Sequence, residues 1–199
     1  MKRGFLIIFA VAILLSAGAA QIFLPPLSLK RAESLLEGTW AREEYDFVLR
    51  ASVESGGAET PYFDLTGSKS GDNSTVRGTV LGEEVELSYQ DGVLSRSLPG
   101  GGAAGYELDP GEAEALCAEL LPEKAFAHRG LEVTERRRDI RGLTLTLRPL
   151  SCSGWVGKYF CDPVYTLRCD HLCRRLRSLT LTAKQADNDA ALTLTVEFL

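Results

Sequence analysis

Apolar and polar residues alternate with a period of two along much of this chain, which is the pattern of strands that bury only one face. The longest alternating segment runs from Tyr45 to Val53. The same period recurs in residues 63–65, 76–80, 85–89, 143–148, 179–184 and 192–198. Turn signals such as Gly56-Gly57 and Asp91-Gly92 separate these segments. The pattern predicts a mainly β (α+β) fold, in which a meander of about five antiparallel strands is followed by further hairpins.

One segment has helical spacing instead. Asp109 is a good N-cap residue, Pro110 suits the first helical position, and Glu112 completes a capping box. An apolar stripe follows and ends at Pro122; its members are Ala113, Leu116, Cys117, Leu120 and Leu121. A helix this apolar on one side needs an apolar surface to lie on, so we expect it to cover the apolar face of the sheet.

A run of twenty uncharged residues, Phe5–Leu24, follows the basic pair Lys2-Arg3. As a helix it would span about 30 Å, which is the thickness of the hydrocarbon core of a bilayer. Because positive charge stays on the cytoplasmic side, the run predicts a single-pass protein of the cytoplasmic membrane with its C-terminal part outside. The small residues 16–20 leave an alternative open, in which a signal peptide is cleaved near Ala20 and the protein is secreted.

These features divide the chain into four parts. They are a cytoplasmic stub (1–4), a transmembrane signal-anchor helix (5–24), an amphipathic connector (25–43) and an extracytoplasmic domain (44–199). The connector is predicted from the helical spacing of Leu29, Ala32, Leu35 and Leu36. The chain carries a net charge of −5, and Lys2 and Arg3 contribute +2, which leaves −7 for the remainder. So acidic a domain is a poor candidate for binding nucleic acid.

The order of these elements resembles the LolA/LppX-like family. The segments that carry the resemblance are Tyr45–Val53, Phe63–Gly67, Val76–Tyr89 with Gly78 and Gly82, Asp91-Gly92, and the closing Leu179–Phe198 hairpin. The resemblance implies an incomplete antiparallel barrel wrapped around one or two helices. It also implies that lipids or the acyl chains of lipoproteins bind in the apolar hollow between the sheet and the helices. Residues 152–173, which include four cysteines, depart from the family's pattern.

On this interpretation the chain is not an enzyme but a binding protein, tethered to the membrane by its N-terminal helix. The residues predicted to line the hollow are Phe47, Leu49, Phe63, Leu65, Val85, Leu87, Leu116 and Leu120. By the period-two rule, the six sheet residues among them share one face. The alternative is a protein-interaction or scaffold domain of the cell envelope, in which side chains fill the hollow and no ligand binds.

The compact cluster of reactive side chains lies between residues 152 and 173. Its disulfide candidates are Cys152, Cys161, Cys169 and Cys173, and Asp170 and His171 lie among them. Because cysteines outside the cytoplasm tend to oxidise, the sequence predicts disulfides, with Cys152–Cys161 as the preferred pair. Asp162-Pro163 predicts a helix start, which would place Cys169 and Cys173 one turn apart.

No metal, cofactor or catalytic residue is predicted. The cysteine spacing matches no standard zinc motif, and the sequence contains neither an HExxH motif nor a nucleophile elbow. A thiol- or metal-dependent enzyme that uses residues 161–173 stays open as a third alternative. Cys117, on the apolar side of the predicted helix, is expected to be a buried free thiol.

Overall fold

The protein is described here by a computed structural model, which covers residues 28–90, 93–97, 121–139, 142–152, 154–170, 172–185 and 189–199. The strands are β1 (Glu44–Ser55), β2 (Ala58–Ser70), β3 (Asn73–Val80), β4 (Glu83–Gln90), β5 (Val93–Ser97), β6 (His128–Asp139), β7 (Gly142–Cys152), β8 (Phe160–Cys169), β9 (Leu176–Gln185) and β10 (Ala191–Phe198). The helices within these residues are α1 (Leu29–Trp40), α2 (Pro122–Ala125) and α3 (Gly154–Tyr159).

The ten strands form one open antiparallel sheet in the order β5-β4-β3-β2-β1-β10-β9-β8-β7-β6. Each half is a meander of consecutive strands, and the first strand pairs with the last to join the halves. Within the described residues, the edge strands β5 and β6 do not pair with each other. The mainly β prediction is therefore confirmed, and the sheet is open, as in an incomplete barrel.

The core lies on one face of this sheet. A row of directly paired residues crosses five strands there, and each residue is at most 1% exposed: Leu49, Val196, Leu179, Leu167 and Leu145. Helix α1 adds Ala32, Leu35 and Leu36 to the same core, so the spacing that predicted this helix also gave its buried side. Ser28 caps the helix, because its hydroxyl accepts the N–H of Arg31.

Two glycines permit close contacts on the first half of the sheet. The ring of Phe47 lies over Gly67 on the neighbouring strand, where a Cβ atom would come within 2.4 Å of the ring. Gly78 has φ +148°, and a Cβ atom there would lie 2.0 Å from the carbonyl oxygen of Asp64. Only glycine combines this backbone conformation with so close an approach.

The second half of the sheet corrects one prediction. Asp162-Pro163 does not begin a helix but lies within β8, at a point where the register against β9 shifts. A proline fits there because an irregular position needs no ladder N–H from it. Pro122 begins the short helix α2, and Leu121 before it has an extended backbone.

Several predicted features fall outside the described residues. They are the membrane helix at 5–24, residues 109–120 of the predicted capped helix, and the Asp91-Gly92 turn. Across the part of the chain that is described, no helix has both the length and the apolarity needed to cross a membrane.

Candidate functional site

The six sheet residues predicted to line a hollow lie together. One row across the strands contains Leu49, Leu65, Gly78 and Val85, and the next contains Phe47, Gly67, Val76 and Leu87. Phe63 lies beside the first row, opposite Ala51. Leu116 and Leu120 lie outside the described residues. The strand register therefore gathers the six residues on the inner face of β1–β4, while their role in binding stays a prediction.

Burial differs along this face. Phe47, Leu49 and Leu65 are at most 1% exposed, so no space for a water molecule adjoins them. Phe63 and Val85 are only half-buried, although each shares its strand with a buried residue, Leu65 on β2 and Leu87 on β4. The face is thus closely covered at some positions and partly open at others.

A polar triad, formed by Tyr45, Lys69 and Glu123, lies at one end of this apolar face. Tyr45 and Lys69 face each other across β1 and β2, and both belong to the inner face. One carboxylate oxygen of Glu123 accepts a hydrogen bond from the Tyr45 hydroxyl. The other oxygen accepts a hydrogen bond from the Lys69 ammonium at 2.7 Å. Burial, and secondly the bond to Glu123, raise the pKa of Tyr45 far above its ordinary value.

The triad fixes α2 across the interior of the sheet. Glu123 lies at the first turn of α2, and Phe126 follows the last. The carbonyl oxygen of Phe126 accepts the hydroxyl of Tyr165 on β8 at 3.1 Å, and the two rings meet edge to face. Residues 122–126 therefore bridge the inner faces of β1–β2 and β8.

A cleft of about 480 Å³ reaches the triad from the end of the sheet. Its wall includes Tyr45 and Lys69, and Arg42, Arg175 and Phe198 contribute to its rim. The side chains of Lys69 and Glu123 are 22% and 17% exposed. The triad is thus a polar boundary between solvent and the apolar face.

The four described cysteines are free thiols, so the predicted Cys152–Cys161 disulfide is absent. The Cys152 thiol lies 3.5 Å from the Tyr165 hydroxyl, and burial raises the pKa of Cys152. Cys169 and Cys173 lie close together, with 3.1 Å between their Sγ atoms. Neither His171 nor Cys117 is among the described residues. Of the residues that are described, no three or more histidines, cysteines, aspartates or glutamates form a group that could hold a metal ion.

The triad was not predicted from the sequence, and Cys169 and Cys173, although disulfide candidates, were expected on a helix rather than at the end of a strand. Lys69 nevertheless gave a signal, because it continues the inward positions Phe63, Leu65 and Gly67 and so places a charge on the apolar side of β2. The partner of that charge is 54 residues away and has no local pattern.

No protein-family model matches the sequence, and no curated protein matches it. A LolA superfamily protein from Nitrosomonas europaea is similar in structure, with 8% identity, 87% of this chain and 92% of that chain covered, and a TM-score of 0.36. A DUF1329 family protein from Desulfovibrio piger has 8% identity, coverage of 84% and 89%, and a TM-score of 0.33. The first of these proteins bears the name of the family that the sequence resembles. Both TM-scores lie below 0.5, so neither likeness supports a statement about ligand or activity.

Proposed function

We propose that the protein is a non-enzymatic binding protein that holds an apolar chain, such as the acyl chain of a lipid or lipoprotein, against the inner face of β1–β4. The observation that carries the proposal is the polar triad, which ties α2 to one end of a face that is otherwise apolar. A partly buried ion pair gains little over apolar packing, because both charges lose hydration. Such a contact suits a segment that must move aside when a ligand enters.

The energetics of exchange support the proposal. When an acyl chain lies along this face, it covers apolar side chains that are only half-buried, such as Phe63 and Val85. The acyl chain itself leaves water, which contributes about 0.8 kcal/mol for each buried methylene group. About ten methylene groups would contribute about 8 kcal/mol, from which the costs of ordering the chain and opening the triad are subtracted. The cleft beside Tyr45 and Lys69 offers the route of entry.

Weakening the triad should speed ligand exchange. We expect Glu123→Gln to release a fluorescent fatty acid about tenfold faster than the parent, since a lost charged hydrogen bond of about 1.4 kcal/mol corresponds to that factor. The measurement is stopped-flow transfer of the probe from the full chain in nanodiscs to excess albumin.

Asp64→Asn is the matched control for this experiment. It removes an ion pair with Arg50 on the outer face, whose side chains are 60% and 51% exposed, and exposed pairs contribute little. Its release rate should equal that of the parent. A parent protein that binds no fatty acid, or two variants with equal rates, would contradict the proposal.

We also propose that the binding domain lies outside the cytoplasm, tethered by residues 5–24. The support is the charge pattern, because Lys2 and Arg3 precede the apolar run and Glu33 is the first acidic residue after it. We expect alkaline phosphatase fused after Leu199 to be active and green fluorescent protein fused there to be dark when exported through the Sec pathway. The reverse result would reject this orientation.

A scaffold domain with a filled core is the second candidate function. The near-complete burial of Phe47, Leu49 and Leu65 favours it, because a permanently open site would leave such side chains accessible. Native mass spectrometry of the full chain distinguishes the two candidates. A co-purified lipid in stoichiometric amount supports the binding protein, and its absence together with no fatty-acid binding supports the scaffold.

A further inference from the structure

Two thiols approach each other where β8 ends. Cys169 is the last residue of β8, and Cys173 lies four residues later in the loop that leads to β9. Their Sγ atoms are 3.1 Å apart, and both residues are buried. Cys173 has φ +52°, a left-handed conformation that turns the chain back towards the strand.

The loop holds the two sulfur atoms together through contacts that do not involve them. The carboxylate of Asp170 accepts the backbone N–H of Arg174 at 2.6 Å and that of Arg175 at 3.2 Å. The N–H of Cys173 is bonded to the carbonyl oxygen of Asp170. Arg31 of α1 donates to the carbonyl oxygen of Leu172 at 3.1 Å. The loop is therefore fixed from within and from α1, and the thiols are positioned in advance.

We propose that Cys169 and Cys173 form an intramolecular disulfide. A disulfide bond is about 2.05 Å long, so the two sulfur atoms need to approach by only about 1 Å. This pair replaces Cys152–Cys161, the pair expected from the sequence. The Cys152 thiol on β7 is directed to the Tyr165 hydroxyl, and Cys161 lies on the neighbouring strand β8.

The route of oxidation is a cleft of about 260 Å³ between α1 and the loop. Cys173 lies in its wall, and three arginines, Arg31, Arg42 and Arg174, are among the other residues that line it. Among the described residues that line this cleft, none carries a carboxylate. The positive field of these arginines attracts an anionic disulfide donor, of which oxidised glutathione is an example.

The exchange proceeds in two displacements. The Cys173 thiolate attacks one sulfur of the donor, which forms a mixed disulfide and releases one glutathione thiolate. The Cys169 thiol gives up its proton to the released glutathione thiolate, and the Cys169 thiolate attacks the Cys173 sulfur, which releases the second glutathione thiolate. In total, two protein thiols and one donor disulfide become one protein disulfide and two glutathione thiols.

One tryptic peptide reports the bond. Cleavage after Arg168 and Arg174 gives residues 169–174, which contain both cysteines. We expect the folded full chain, incubated with oxidised glutathione, denatured and alkylated, to yield this peptide without alkyl groups and about 2 Da lighter than the dithiol. Denatured but unreduced, the chain should then have three reactive thiols of its five cysteines. Alkylation of both Cys169 and Cys173, or a Cys152–Cys161 bond in their place, would overturn the proposal.

Two variants and a second donor test the route. Cys169→Ser should stop after the first displacement and keep one glutathionyl group on Cys173, whereas Cys161→Ser should form the bond as the parent does. At low salt the parent should react about tenfold faster with oxidised glutathione than with the cationic donor cystamine, and 1 M salt should reduce this preference. Equal rates for the two donors at low salt would reject the arginine-lined route.

Discussion

Gly78→Ala should destabilise the folded protein by about 3 kcal/mol or more. The new Cβ atom would lie 2.0 Å from the carbonyl oxygen of Asp64, a backbone atom that cannot move without breaking the β2–β3 ladder. The backbone also has φ +148°, which strains any residue with a Cβ atom. Strain of this kind costs about 1–3 kcal/mol, and forced overpacking costs a similar amount. Urea unfolding, followed by circular dichroism, measures the sum.

Gly71→Ala is the matched control. Gly71 also has a positive φ, +58°, but nothing lies within 4 Å of the position where its Cβ atom would be. The substitution therefore costs only the backbone conformation, about 1–2 kcal/mol. A Gly78→Ala variant no less stable than Gly71→Ala would show that β2 and β3 do not approach as closely as described.

Alternation of apolar and polar residues with a period of two predicts a strand only where one face of the strand is buried and the other is exposed to solvent. β1, β9 and β10 meet this condition, and all three were predicted. β6 does not, because it is an edge strand whose buried side is reduced to Leu131 and the half-buried Val133. Its charged residues, including Arg136–Arg138, protect an exposed edge and hide the alternation. In β8, Asp162-Pro163 resembled a helix start because a local pattern does not reveal a register shift.

The apolar part of the candidate site followed from the same periodicity, whereas its polar part depended on tertiary structure. Antiparallel pairing places Leu49 beside Leu65, and the turns between β1 and β4 fix that register. The triad needs α2 to cross the interior and bring Glu123 to Lys69, which no repeat or spacing encodes. The thiol pair likewise depends on the left-handed turn at Cys173, so the sequence favoured a different pair.

Alkaline pH should also destabilise the protein strongly, and two buried tyrosines alone should lower its stability by about 3 kcal/mol between pH 8 and pH 11. Burial raises the pKa of Tyr45 and of Tyr165 far above the ordinary value, and hydrogen bonds from Tyr45 to Glu123 and between Tyr165 and Cys152 add to the effect. The folded protein therefore keeps both phenol protons at a pH where the unfolded chain has lost them. The stability that the two groups contribute is complete below about pH 10, the ordinary value for tyrosine, and is lost as the pH rises beyond it towards the folded pKa.

The size of this loss follows from linkage. One pH unit above its unfolded pKa, each buried phenol costs about 1.4 kcal/mol, and two cost about 3 kcal/mol. Burial also raises the pKa of the Cys169 thiol, which acts in the same direction while that thiol is reduced. Urea unfolding at pH 8 to 11 should give a falling free energy of unfolding, and Tyr165→Phe should halve the tyrosine part of the slope. Tyr159→Phe changes an exposed ring on α3 and should leave the slope unchanged. A free energy that stays constant up to pH 11 would mean that both phenols ionise freely in the folded protein, and that α2 does not close over Tyr45.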